Sequence, residues 1–238
     1  MIFRLTLFAG LLLSGCTSSR GFDRTAMHAT FSHDAGAITE QTTAGTPTLS
    51  TPFRLAVYFV HKDFPAQRTM QKAEWLSAEN AALITGLAPL RNERILNDAF
   101  LLVDSTIQGN DVRKIRQAAA RYGADAVMIV DGVGSIDRYN NGYAALYVTV
   151  IGAYFAPGTE SNALFMIDSS LWDVRSERLY ATQTVEGRSE SVGPAMSVED
   201  TLVFAQARKS ALDELSKRMV DQLRRLKDTR PDINDPPR

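Results

Sequence analysis

Cysteine occurs once in the 238 residues, at Cys16, directly behind Leu13-Ser14-Gly15 and an apolar run from Leu5 to Leu13. A nucleophilic thiol in that place can accept a diacylglycerol; the alternative is a secreted protein with a chance cysteine, against which its placement speaks. Met1 and Arg4 form a small positive leader, and the apolar run is about half of the ~20 residues a membrane-spanning helix needs, so it reads as a cleaved signal rather than an anchor. The spacing predicts a mature protein that starts at Cys16 and carries its lipid there. Each buried methylene contributes ~0.8 kcal/mol, so two or more acyl chains hold a protein on a bilayer in effect permanently. Thr17, rather than an aspartate, follows the acylated position. The expected address is the periplasmic face of the outer membrane.

The other residues with chemical potential are scattered. His28 and His33 lie five apart with no carboxylate or thiolate partner at metal spacing, and a metal site needs three or four converging ligands. Asp131-Gly132-Val133-Gly134 follows a strand pattern where a dinucleotide-binding loop would sit. It lacks the third glycine and a following helix to supply a dipole, so a strand twist or bulge is expected there. His61 ends a predicted strand, and no serine on a sharp exposed turn accompanies it. Asp168 and Asp173 are five apart in one predicted strand and so point to opposite faces. Asp173 reads as the approach to a turn, and Asp168 as a hydrogen-bonded structural carboxylate. Lys217, Arg218, Arg224, Arg225 and Lys227 crowd the end of a predicted helix, where cations stabilise the dipole by ~0.3–1 kcal/mol. We therefore assign no catalytic residue, no cofactor-binding residue and no metal ligand, and expect no cofactor and no enzyme.

Lys and Arg total 26 against 27 Asp and Glu, for a net charge of −1, and loss of the leader removes only Arg4, giving −2. Such a balance implies no polyanionic partner, so nucleic acid is not expected. A lone cysteine taken up by lipid leaves no disulfide for the folded part.

The elements that would position these residues read as follows. Residues 1–15 are the signal peptide and 16–52 a lipidated flexible tether with a reach of roughly 30–35 Å. Residues 53–228 form a single α/β domain, and 229–238 a disordered tail. Arg54 to His61 is a strand buried on both faces, as under helices. Gln67 to Ala88 is a helix with Ala73, Leu76, Asn80, Leu83 and Leu87 on one stripe, stopped by Pro89. Ala99 to Val103 is a second strand. Asn110 caps a helix to Tyr122, ended by Gly123, and Asp125 to Asp131 is a third strand. From there the pattern becomes an antiparallel meander. Asn140-Asn141-Gly142 predicts a type I′ hairpin turn, followed by strands Tyr143 to Phe155, Asn162 to Val174 and Arg178 to Glu186. A lipid-facing strand would alternate apolar with polar residues; Tyr143 to Phe155 does not, and fits a central strand under a helix. Ser197 opens a long C-terminal helix to about Lys227, with Ala205, Leu212, Leu215, Met219, Leu223 and Leu226 inward. The fold class is α/β: an N-terminal βαβαβ part that continues into an antiparallel meander, with helices packed on the sheet in two or three layers.

Ala119 to Asp131, Leu146 to Val174 and Arg178 to Ser189, with the V-I-G-A-Y-F and V-E-G-R-S stretches foremost, give the chain a resemblance to the rhombotarget lipoprotein family, over about Leu55 to Leu226. The resemblance implies a bacterial envelope lipoprotein associated with rhombosortase, an intramembrane rhomboid-type protease. Targets of such proteases end in a Gly-Gly motif, an apolar helix and a basic tail. This chain ends in Asp232-Ile233-Asn234-Asp235-Pro236-Pro237-Arg238 and departs from that pattern, so it is not itself expected to be a target. Gly123-Ala124-Asp125 and Leu171-Trp172-Asp173-Val174 also resemble, in topology, the lipoproteins of curli secretion and of penicillin-binding-protein activation. Fold alone does not carry function.

The expected function is non-catalytic: a membrane-anchored lipoprotein that binds or helps assemble another envelope protein. The alternatives are a subunit of an oligomeric outer-membrane secretion assembly and a hydrolase with an unrecognised site. An enzyme calls for a polar cleft with converging titratable groups, a binding module for an exposed apolar surface.

Overall fold

Successive residues of the first strand enter two different cores: Leu55, Val57 and Phe59 are buried on one side of the sheet, Ala56, Tyr58 and Val60 on the other. That alternation follows from the two-residue period of a strand. It requires cover on both faces, and hence three layers. The computed structural model describes residues 18–31, 49–61, 70–103, 107 and 111–228.

The chain order is α1 (Arg24–Thr30), β1 (Phe53–Phe59), β2 (Met70–Lys72), α2 (Ser77–Gly86), α3 (Ala88–Asn92), β3 (Leu96–Leu101), α4 (Val112–Arg121), β4 (Ala126–Asn140), a 3₁₀ segment (Gly142–Val148), α5 (Val150–Phe155), β5 (Thr159–Asp173), β6 (Leu179–Gly193) and α6 (Asp200–Asp228). The sheet order is β3-β1-β4-β5-β6. β1 pairs in parallel with β3 and β4, whereas β4, β5 and β6 form an antiparallel meander. β2 pairs antiparallel with Val133 to Ser135, prolonging along β4 the edge that β1 leaves at Val130. The α/β fold class expected from the sequence is the one observed.

One face of the sheet is covered by α2, α3 and α6 over a core that includes Leu83, Leu90, Phe165, Leu215 and Met219. α4 covers the parallel half of the other face through Ile115, Ala118 and Ala119. Beside it α1 covers Val133, Leu164 and Met166 with Met27 and Phe31. α4 is capped by the Asp111 side chain, which accepts from the Arg113 N–H at 2.8 Å, and Gly123 closes it at φ 72°. A glycine takes that left-handed conformation without steric cost.

Several expectations need correction. Residues 24–30, in the span read as a tether, form a helix. Asp23 caps it by accepting from Ala26 N–H at 2.9 Å, and its apolar side sinks into the sheet face. Of the helix predicted from Gln67, residues 67–69 lie outside the described residues, Met70 to Lys72 are drawn into the ladder beside β4, and α2 starts at Ser77. Pro89 does not stop helix formation; it lies in the first turn of α3, where a missing N–H costs nothing. Gly132 and Gly134 make no bulge, since β4 and β5 stay in register from Ala126 to Asn140. These glycines instead make room for rings: a Cβ would stand 2.7 Å from Trp75 at Gly132 and 2.2 Å from Phe204 at Gly134. Ser197 does not cap the last helix; its hydroxyl donates to Pro194 O at 3.1 Å, and the helix begins at Asp200.

The largest difference concerns Tyr143 to Phe155. It is not a strand: β4 runs past its predicted end to Asn140, and residues 142–155 form the 3₁₀ segment and α5 before β5 returns. Asn141 has φ −87°, not the positive value a type I′ turn requires, and its side chain accepts from Tyr143 N–H as a helical cap. Thr149 then caps α5 by accepting from Gly152 N–H at 3.0 Å.

Candidate functional site

Two features meet at one end of the sheet, where β4 leaves and β5 returns. The first is a clasp between the N-terminal segment and β4. Asp137 is buried in the sheet, and one of its carboxylate oxygens accepts from Ser19 Oγ at 2.6 Å, Arg20 N at 3.1 Å and Gly21 N at 3.0 Å. A buried carboxylate needs such donors, and three on one oxygen are charge-assisted. Three residues after Gly21, Arg24 Nε donates to Glu186 Oε1 at 2.9 Å, and Arg188 reaches the same carboxylate at 3.0 Å. Partial burial pushes Glu186 up, but the hydrogen bonds and charges of Arg24 and Arg188 outweigh it and hold the group below its ordinary range. Cys16 lies outside the described residues, three positions before Ser19.

The second feature is the helical tip between β4 and β5. No charged residue occurs between Arg138 and Glu160. Tyr143, Leu146, Val148, Ile151, Tyr154 and Phe155 are all exposed, Ile151 to 71% and Phe155 to 78%. Met196, on the neighbouring loop before α6, is exposed too. A tip so apolar is nonetheless tightly built. Asn141 Nδ2 donates to Pro157 O at 3.0 Å and to Glu160 Oε1 at 2.9 Å. Tyr147 OH donates to Ala156 O at 3.3 Å and shares a hydrogen bond with Thr159 Oγ1 at 3.0 Å. At Gly152 an added Cβ would lie 1.9 Å from Leu146 O, so the two helical pieces touch through backbone. Tyr139 donates to Glu160 at 2.5 Å, which raises the phenol and, with Asn141, lowers the carboxyl. The base of the tip is thus a polar collar and its outer surface is apolar.

A third surface is a groove of about 620 Å³ between α2 and α6. Leu83 and Leu212 are buried at its floor, Leu202 is 58% exposed at one end, and Lys209, Asp213 and Lys217 edge it. Arg208 and Glu79 pair behind it at 2.9 Å, both largely buried, and tie the two helices together.

The sequence-predicted candidates fall in different places. His61 is exposed just after β1. His28 lies on α1 with its ring edge-on to Phe31 at 6.0 Å, and His33 is outside the described residues. Asp168 stands across from Asp131 in the ladder and accepts from Thr184 Oγ1 at 2.8 Å. Asp173 does shape the turn into β6: it accepts from Arg175 N, Ser176 N and Tyr180 OH at 2.8, 2.6 and 2.5 Å. Burial raises this group, and those donors more than compensate, leaving it below its usual range. Asp168 and Asp173 are not brought together. Of the C-terminal cations, Arg224 forks onto Glu93 with contacts of 2.6 to 3.2 Å, Lys227 donates to the Glu93 carbonyl, and Arg218 pairs with Glu214. Among the described residues no three His, Cys, Asp or Glu side chains stand close enough to share a metal ion.

Sequence reasoning missed the clasp and the tip. Asp23 before Met27 and Phe31 was a legible cap-and-stripe signal, and the uncharged span to Glu160 a legible sign of an unusual surface.

No protein-family model matches the sequence, and no curated protein matches it. Solved structures that it resembles include the PelC dodecamer from Paraburkholderia phytofirmans, at 14% identity and TM-score 0.29, covering 76% of this chain and 92% of that one. A minor lipoprotein from Acinetobacter baumannii is similar at 13% identity and TM-score 0.35, over 74% and 92% of the two chains. Lipoprotein GNA1162 from Neisseria meningitidis is similar at 14% and 0.31, over 73% and 99%. Bacterial lipoproteins are thus among the structures it resembles, and likenesses this distant fix neither family nor function. Among the described residues no helix is long and apolar enough to cross a membrane.

Proposed function

We propose that the chain is an envelope lipoprotein, acylated at Cys16 and held on the periplasmic face of the outer membrane, whose folded body binds another envelope protein and catalyses no reaction. The rhombotarget lipoproteins are the family we place it with, on the V-I-G-A-Y-F and V-E-G-R-S stretches. The observation that carries the binding reading is the groove between α2 and α6. It has an apolar floor, an exposed leucine at its mouth and charged side chains of both signs along its edge. That is the form of a seat for an amphipathic segment, which buries its apolar stripe and leaves its charges at the rim.

The test is photocrosslinking in intact cells from a probe placed at Ala205, on the groove wall. A discrete adduct with one envelope protein is expected, and it should vanish when Leu202→Asp is added. The same adduct from a probe at exposed Arg121, on the opposite layer, would contradict the assignment, as would none from the groove.

A further inference from the structure

We infer that the helical tip, residues 142–158, is a second membrane contact that inserts into the interface of the bilayer to which the chain is tethered. The inference rests on acylation at Cys16 and extends it to the orientation of the body. Ser19 is three positions after Cys16, a reach of at most about 11 Å. Ser19 is fixed to Asp137 by its hydroxyl at 2.6 Å. From Asp137, β4 runs three residues to Asn140, roughly 10 Å, and the tip starts there. The two chain legs, about 11 and about 10 Å, joined through the Ser19 and Asp137 side chains, therefore put the lipid attachment within roughly 30 Å of the base of the tip. An ordered clasp does what a free tether cannot: it brings this end of the sheet, and no other, to the lipid surface.

The chemistry of the tip fits a lipid surface. It carries no formal charge between Arg138 and Glu160, so entry into the interface strands no ion in an apolar medium. Tyr143 and Tyr154 combine an apolar ring with a polar end, the character of residues enriched at headgroup level. Val148, Ile151 and Phe155 are more exposed than either tyrosine and are the side chains that reach acyl chains. The flanking charges are already engaged at the collar, Arg138 with Asp200 at 3.0 Å and Glu160 with Tyr139 and Asn141. The helices are too short to span, so the contact is monotopic, with its apolar side about 5–10 Å deep. Close backbone contact at Gly152 and Gly158 and the Asn141 and Tyr147 hydrogen bonds keep the tip folded in water, so little ordering cost opposes insertion.

The experiment uses the acylated full-length mature chain with Phe155→Trp, reconstituted in vesicles of phosphatidylethanolamine and phosphatidylglycerol doped with lipid brominated on its acyl chains. Trp75 and Trp172 supply a background that the unsubstituted chain measures. The introduced indole should shift to the blue, lose at least half of its emission to the brominated lipid and become several-fold less open to aqueous iodide. Adding Val148→Asp and Ile151→Asp, remote from the core, should abolish the quenching while the near-ultraviolet circular dichroism of the body is kept. An indole on the acylated, vesicle-bound chain that stays open to iodide and untouched by bromine overturns the inference. So does one shielded from both, the signature of a face between copies of the chain. A mature chain without acyl mass at Cys16 removes the premise and overturns it by a different route, which mass spectrometry of the N-terminal peptide tells apart.

Discussion

Ser19 and Asp137 are 118 residues apart in sequence and 2.6 Å apart in space, and that contact joins the segment behind Cys16 to the sheet. Asp137→Ala leaves three donors without their acceptor and frees the chain before α1. A loss of about 1–3 kcal/mol is expected, the cost of unpaired groups at a buried carboxylate site. Trypsin should cut after Arg20 and Arg24 at least ten times faster in the variant. Unchanged cleavage there would show that the clasp does not hold in solution.

The buried pair of Glu79 and Arg208 links α2 to α6. Removing one partner strands the other, so Glu79→Ala should cost about 3–5 kcal/mol. The paired replacement, Glu79→Gln with Arg208→Met, should recover much of that. Urea denaturation of the three chains measures it, and equal losses from single and double variants would deny the coupling.

Gly187 on β6 sits beneath α6, and an added Cβ would meet Ala207 O at 2.2 Å and Ala211 N at 2.3 Å. Backbone cannot turn aside as a side chain can. Gly187→Ala should destabilise by about 1–3 kcal/mol through overpacking. At this size that is a drop in Tm of roughly 3–10 °C. A Tm within one degree of the parent would mean that helix and strand are not in such close contact.

Acid should loosen the N-terminal helix. Glu186 is held below its ordinary range, so its contribution is complete above the unfolded value, about 4.3, and is lost as pH falls through the folded one. Asp173 acts in the same direction. Tm should therefore hold from pH 7 to about 5 and fall below 4. Glu186→Gln should lower Tm at pH 7 and flatten part of that fall, and an acid profile identical to the parent's would contradict the assignment.

Legibility in the sequence followed the range of the interactions. β1, α4 and the β5–β6 turn could be read because their signals are local: a β-branched and aromatic run, an apolar stripe with a closing Gly, a carboxylate at the approach to a turn; the cap of α4, expected at Asn110, which lies outside the described residues, is Asp111. The long-range decisions could not. Tyr143 to Phe155 has strand composition throughout, yet Asn141 and Thr149 cap helical turns there, and β4 already supplies the partner that β5 needs. Met70 to Lys72 sits in a helical pattern and is recruited by a free ladder edge on β4. Gly132 and Gly134 looked like backbone devices, while their reason is the row of rings from Phe59 through Trp75 and Phe165 to Phe204. Asp137 gave no sign at all, because its partners, the Ser19 hydroxyl and the Arg20 and Gly21 N–H groups, are more than a hundred residues away.

The address and the orientation proposed for the body both rest on the proposed acylation of one sulfur. Mass spectrometry of the N-terminal peptide of the mature protein, isolated from membranes, tests it most directly. The account predicts a peptide that begins at Cys16 and carries the mass of a diacylglycerol, with or without a third acyl chain; an unmodified cysteine in that peptide would contradict it.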